Sequence, residues 1–267
     1  MSNIKKRVNP LIHMITNYVT MNDLAQVAIC YGGRPLMATH HDEINEITRC
    51  ANGLLINIGT LETYNMEASK IALKVANDKG IATVLDPVGV QASTLRKKFG
   101  SNIIKEYKPT LIKGNLSEIK TLVGETSKSI GIDSLENYIS NKTKNTIMEY
   151  AREFNTIIVV TGEEDFITDG FKCARVSNGV SKMADITGTG CMLGTLLTVA
   201  LSFYDDKESR FNEVVKAVIS WGVCGELAEE SLRANEGLLT FKYRLLDNIS
   251  LLTDNIINKR KKVTYES

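Results

Sequence analysis

A charge excess of either sign is missing from this chain of 267 residues: 32 Lys and Arg stand against 31 Asp and Glu, a formal net charge of +1. That balance leaves no electrostatic footprint for nucleic acid or an acidic membrane. The one compact basic run, Lys259-Arg260-Lys261-Lys262, sits near the end of the chain and reads as a solvated tail. Cysteine is sparse and unpaired in pattern. Cys30, Cys50, Cys173, Cys191 and Cys224 are odd in number, with no close pair spaced for zinc or disulfide exchange, so a reducing, cytoplasmic setting is expected. Long apolar runs are also missing. Lys5-Lys6-Arg7 resembles the basic start of a signal peptide, but Asn9, Pro10, His13, Thr16 and Asn17 break up the apolar stretch that such a leader needs, and no segment approaches a membrane span.

Several catalytic schemes are missing as well. His13, His40 and His41 are the only histidines, and His40-His41-Asp42 lacks a helical two-histidine zinc spacing, so a polar loop is expected there. There is no Gly-x-Ser-x-Gly elbow. There is no Gly-x-x-x-x-Gly-Lys-Ser/Thr phosphate loop either, so a nucleotide would need a different cradle.

Present instead is an alternation of short apolar runs with helical patterns, without a composition break, which reads as one domain over residues 1–267. Residues 54–58 read as a strand, 66–79 as a helix closed by Gly80, and 81–85 as a strand ending in Asp86-Pro87-Val88-Gly89. Leu111-Ile112-Lys113 is a further strand, with a helix over 116–123 after it. A helix over 143–154 then leads to the β-branched strand 156–160. Strands joined through single helices predict an α/β fold with a mainly parallel central sheet covered by helices on both faces. Asp169-Gly170 predicts a type I′ hairpin between Phe166-Ile167-Thr168 and 172–176. Residues 191–203 read as a buried helix and 208–234 as a long amphipathic one. The last thirty or so residues read as a further helix and a frayed tail.

In such sheets ligands bind beyond the C-terminal strand ends. That rule collects Asn57-Ile58-Gly59, Asp86, Lys113-Gly114-Asn115 and Thr161-Gly162-Glu163 on one edge. Thr187-Gly188-Thr189-Gly190-Cys191 adds a glycine-rich turn at the start of an apolar helix, where converging N–H groups and the helix dipole suit an anion and favour a thiolate. The same residues also read as a tight strand-to-helix connection with a small buried Cys191. Glu118 reads as a Mg²⁺ partner, directly or through water, or as half of a capping box with Asn115. Asp86 reads as a second partner of that ion or as the cap of the turn at Pro87. Lys113 reads as a charge for a transferring phosphoryl group or as a side chain snorkelling to water. Thr161 and Glu163 read as phosphate or metal contacts or as an ordinary turn.

Together these stretches resemble the hydroxyethylthiazole kinases of the ribokinase-like superfamily. The likeness runs through Ile15-Thr16-Asn17-Tyr18-Val19-Thr20, Pro35-Leu36-Met37-Ala38, Leu55 to Leu61, Leu85 to Gly89, Ile112 to Asn115, Val160 to Glu163 and the glycine turn, over roughly residues 10–235. The resemblance implies ATP-dependent phosphorylation of the primary alcohol of 4-methyl-5-(2-hydroxyethyl)thiazole, a salvage step toward thiamine. It also implies Mg²⁺ and a homotrimer with active sites between subunits. Carried over by residue, it implies that Cys191 faces the acceptor hydroxyl, that Gly188 and Gly190 form the anion hole, and that Met37 and Asn17 line the thiazole pocket with Gly188. Lys113, Thr161 and Asn115 fall at ATP-contact positions, and Asp86 and Glu118 near the metal. The family frequently has arginine where Lys113 stands, so a point charge replaces a two-pronged contact here. No nucleic acid and no membrane partner is expected.

Overall fold

Residues 9–125, 139–203 and 207–266 are described by the computed structural model. Their backbone builds one nine-stranded sheet. The first strands are β1 (Leu11–Ile15), β2 (Arg34–Leu36), β3 (Gly53–Asn57), β4 (Ala82–Asp86), β5 (Leu111–Asn115) and β6 (Ile157–Thr161). They run parallel in the order β2-β1-β3-β4-β5-β6. The antiparallel strands β7 (Asp165–Thr168), β8 (Cys173–Val176) and β9 (Val263–Glu266) extend the sheet beyond β6.

Alternation along the strands explains why helices cover both faces. On one face Met14, Leu55, Val84, Leu111 and Val159 join a core closed by α1 (Met21–Cys30), α7 (Thr189–Leu201), α8 (Lys207–Ser231) and α9 (Leu238–Leu251). On the other, Leu54, Ile56, Leu85, Ile112 and Ile158 pack under α2 (His41–Cys50), α3 (Thr63–Lys79), α4 (Thr94–Tyr107), α5 (Leu116–Leu122) and α6 (Asn141–Phe154). The α3 helix ends at Gly80 in the left-handed conformation, φ +68°, as its position after the periodic run predicts. Among the described residues, no helix is long and apolar enough to cross a membrane.

The α7 helix is buried along its length from Cys191 to Leu201 and crosses the face of β3 and β4. Its path depends on small residues. A Cβ on Gly53 would lie 3.2 Å from the Thr198 carbonyl oxygen, and one on Gly194 would lie 3.4 Å from Asp86 Oδ2. Close approach of helix and sheet therefore brings the first turn of α7 to the C-terminal strand ends.

Three expectations need correction. The Asp169 hairpin forms, but Thr168 pairs with Cys173 across a four-residue loop, and Asp169 lacks the positive φ that a type I′ turn requires. Asp169 Oδ1 instead accepts the N–H groups of Phe171 and Lys172. The end of the chain is not frayed: α10 (Asp254–Arg260) leads into β9, which pairs with β8. Arg260 pairs with Glu230 and Lys262 with Glu226, and Lys261 donates to Asn258. His40-His41-Asp42 is a helix start, where His40 Nδ1 accepts the Asp42 N–H and His41 stacks on Tyr64.

Candidate active site

The parallel strand ends place the polar stretches side by side. Asn57 is in register with Asp86, and Asn115 with Thr161. Asn17 comes after β1 and Met37 after β2, which brings both to the same edge; Met37 is half-buried against the core. The turn before α7 is laid across this edge. Gly188 has φ +88°, and a Cβ there would strike Thr20 Cγ2 at 2.2 Å. A Cβ on Gly190 would lie 3.3 Å from Lys113 Nζ. Gly188 is thus demanded by close packing and by its backbone conformation, while a side chain at 190 would crowd the Lys113 ammonium.

No side chain caps the N-terminus of α7, and its ladder opens with the Met192 N–H on the Gly188 carbonyl at 2.8 Å. The first-turn donors carry the positive end of the dipole toward the strand ends. Beneath them lies a buried ion pair, Lys113 Nζ to Asp86 Oδ1 at 2.8 Å, with Lys113 also donating to the Gly190 carbonyl at 3.0 Å. Lys113 is 3% exposed and does not snorkel. Burial acts to lower its pKa, but the charge and hydrogen bond of Asp86, with the charge of Glu118, prevail and hold it above the usual lysine value. Asp86 is pushed above the ordinary carboxylate range by burial, against the pull of Lys113. Its other oxygen accepts Asn57 Nδ2 at 2.8 Å, so the side chain does not cap the turn at Pro87, where Val88 N–H bonds the Asp86 backbone carbonyl.

Cys191 is 8% exposed, and Asn17 Nδ2 faces its Sγ at 3.6 Å. The expected acidic thiol is not found. Burial raises its pKa first and the Asp86 carboxylate raises it further, outweighing Lys113 and the hydrogen bonds of Asn57 and Thr20. A helix dipole acting through a glycine turn is weaker than the loss of water and a carboxylate next door.

Glu118 and Asn115 form the full capping box. Glu118 N–H donates to Asn115 Oδ1 at 2.9 Å and Asn115 N–H to Glu118 Oε2 at 2.8 Å. Glu118 Oε1 accepts the Gly89 N–H at 2.9 Å, so this carboxylate ties the β4 loop to the start of α5. Burial raises its pKa ahead of the opposing Gly89 hydrogen bond and Lys113 charge. Each carboxylate oxygen of Asp86 and Glu118 thus takes one N–H donor and keeps lone-pair capacity. Among the described residues, no three His, Cys, Asp or Glu are grouped to hold a metal. A hydrated Mg²⁺ held mainly through its waters fits this pair of hard oxygen donors.

Three contributors have little sequence signal. Arg96 donates to the carbonyls of Ile58, Val88 and Gly59, clamping the loops after β3 and β4, and nothing in its neighbourhood of α4 announces that. Asp165 accepts the Gly162 N–H at 3.0 Å and shapes the loop after Thr161. Burial, opposed by that hydrogen bond and by Lys113, lifts its carboxyl to about 7. Asn57 links Asn17 to Asp86; its place at a strand end was legible, its partners were not.

Comparison with known proteins identifies the family and the fold. The model of the Hydroxyethylthiazole kinase family matches residues 1–255. The chain is 67% identical over 263 residues to a hydroxyethylthiazole kinase from Clostridium perfringens, covering 98% of this chain and 99% of that one. The solved hydroxyethylthiazole kinase of Pyrococcus horikoshii OT3 superposes with a TM-score of 0.83 at 32% identity, over 97% of this chain and 94% of that one. A ribokinase-like superfamily protein from Enterococcus faecalis V583 shares the fold at a TM-score of 0.63 and 10% identity, over 90% and 86% of the two chains. The α/β fold is therefore ribokinase-like, and the chain belongs to the hydroxyethylthiazole kinase family.

Proposed function

We propose that this chain phosphorylates 4-methyl-5-(2-hydroxyethyl)thiazole at its primary alcohol in thiamine salvage, by in-line transfer of the γ-phosphoryl group of ATP. The family supports the reaction and the co-substrate. The structural observation that carries the chemistry is the uncapped glycine turn of α7 seated on the buried Lys113–Asp86 pair.

Phosphoryl transfer passes through a loose transition state, so positioning and charge neutralisation outweigh early removal of the hydroxyl proton. Gly188 and Gly190 leave room for phosphate oxygens at the first-turn N–H groups of α7. Lys113 spends two donors on Asp86 and Gly190 and keeps one for a phosphate oxygen. Thr161 and Asn115, paired at the ends of β6 and β5, border the ATP phosphates. Asp86 and Glu118 would hold Mg²⁺, which would supply neutralisation of phosphate charge. Asn17, Met37 and Gly188 border the thiazole. Cys191 faces the acceptor hydroxyl; burial keeps the thiol neutral, so it takes that proton only as its own passes to the Asp86 carboxylate to which it is hydrogen-bonded.

The chain works as one kinase domain in the cytoplasm, where its five free cysteines stay reduced. It assembles as a homotrimer with active sites between subunits. Tyr18 and Val19, 58% and 74% exposed beside Asn17, are the apolar surface that a neighbouring copy would cover. Incubation with Mg-ATP and a panel of the thiazole alcohol, the pyrimidine alcohol of thiamine and hydrated NADH, with products identified by mass, tests the reaction. Phosphorylated thiazole alcohol alone is expected; phosphorylated pyrimidine or restored NADH would overturn it.

A further inference from the structure

The polar chain that ends on Cys191 has a direction, and two backbone N–H groups set it. The Gly59 N–H can only donate, so the Asn57 atom 2.9 Å from it is oxygen, which turns Asn57 Nδ2 to Asp86 Oδ2 at 2.8 Å. The Thr20 N–H can only donate as well, so the Asn17 atom 3.0 Å from it is oxygen; Thr20 Oγ1 donates to the same atom at 3.1 Å. Asn17 Nδ2 must then face Asn57 Oδ1 at 3.0 Å and Cys191 Sγ at 3.6 Å. A flip of either amide would set oxygen against oxygen and nitrogen against N–H. Asn17 is 5% exposed and Asn57 3%, so water does not stand in for a lost partner. Gly59 is part of the device, since a Cβ there would lie 2.9 Å from both Asn17 Cβ and Asn57 Oδ1.

We infer that Asn57 is a positioning residue that locks the Asn17 amide with its N–H toward Cys191, so that the acceptor subsite selects a neutral hydroxyl and rejects a cationic amine. The inference rests on Cys191 facing the acceptor hydroxyl. A hydroxyl oxygen accepts the N–H that Asn17 otherwise turns to Cys191 Sγ, the amide's other hydrogen staying on Asn57 Oδ1, whereas an ammonium has only donors to offer and meets a donor. Lys113 nearby adds charge repulsion; it is held by Asp86 and Gly190, and Asn57 reaches it through the Asp86 hydrogen bond. Asn17 bonds Asn57, Cys191 and Thr20 rather than that ion pair, so a change at Asn17 separates the amide's contribution from that of Lys113.

The test is calorimetric binding, without ATP, of the thiazole alcohol and of the same thiazole carrying a primary amine in place of the hydroxyl. The unaltered protein is expected to prefer the alcohol by about tenfold or more. Asn57→Ala frees the Asn17 amide to turn and is expected to shrink that ratio at least about threefold. Asn17→Ala, which removes the N–H without adding charge, is expected to bring the ratio near unity. A purely structural role would lower the melting temperature and weaken both ligands together, leaving the ratio unchanged in both variants, and that result overturns the inference. Equal binding of alcohol and amine by the unaltered protein overturns it with no variant needed. Cys191→Ala that binds and phosphorylates the alcohol like the unaltered protein would remove the acceptor-facing premise instead, which separates failure of that reading from failure of the Asn57 role.

Discussion

Two polar clusters join distant parts of this chain, one under water's reach and one out of it. At the chain's end, Asn178 donates to the Arg260 carbonyl and to Glu226, and accepts the Lys262 N–H, while Arg260 grips Glu230 with two N–H groups. The Arg260–Glu230 side chains are 34% and 55% exposed. At the strand ends, Lys113, Asp86, Asn57, Asn17 and Cys191 make a comparable set of bonds with almost no water present. The two differ in what a loss would do. A partner lost from the exposed Arg260–Glu230 pair is replaced by solvent, whereas a partner lost from the buried set leaves an uncompensated charge or donor.

The largest effect comes from that contrast. Lys113→Met leaves Asp86 buried and unpaired, and is expected to lower stability by about 3–5 kcal/mol, read by urea unfolding. Turnover should collapse as well. An unchanged unfolding midpoint would place the pair nearer to solvent than its geometry indicates.

Next in size is the thiol. Cys191→Ser is expected to lower kcat by about 10²-fold or more with a small change in thiazole KM, while Cys191→Asp remains active. An inert, folded aspartate variant that still binds ligand would argue against proton acceptance at this position.

Asp165, half-buried at the start of β7, gives the pH dependence. Burial raises its folded carboxyl to about 7, above the unfolded value of about 4, so the folded protein holds more protons in that interval. Its contribution is complete below about pH 4 and is lost as pH rises through about 7. Asp165→Asn still accepts the Gly162 N–H and is expected to flatten this part of the stability profile; urea midpoints between about pH 4 and 8 would show a persistent slope if Asp165 were not its source. The smallest effect belongs to the exposed cluster. Arg260→Met is expected to cost within about 1 kcal/mol and to leave kcat unchanged, and a loss as large as that of Lys113→Met would erase the comparison.

The legible parts of this molecule were those written in short-range pattern. Residues 54–58, 81–85, 111–113 and 156–160 alternate between two apolar faces, and strands of that kind appear at those places. Gly80 ended its helix, and Asn115 with Glu118 formed the capping box that their spacing allowed. The strand-end rule then assembled Asn57, Asp86, Lys113 and Thr161 on one edge. By contrast β1 was hidden, because His13 interrupts its apolar pattern and is satisfied inside the fold by the Ala38 carbonyl and Thr48. The β9 strand was hidden because its pairing with β8 and the anchoring of Glu266 by Lys144 and Arg175 come from residues about a hundred positions away.

By itself the sequence determined the alternation of strands and helices, the parallel sheet and the edge at which chemistry gathers, since periodicity and turn residues act over a few neighbours. Only the tertiary structure decided the state of the groups on that edge. Lys113 became half of a buried pair rather than a solvated charge, Cys191 a neutral thiol rather than a thiolate, and Asn17 a donor rather than an acceptor toward Cys191. The energy of a charge or a hydrogen bond depends on the water removed around it and on the partners left in place. Those partners arrive from β1, β3, β4, β5 and α7, which meet only when the chain has folded.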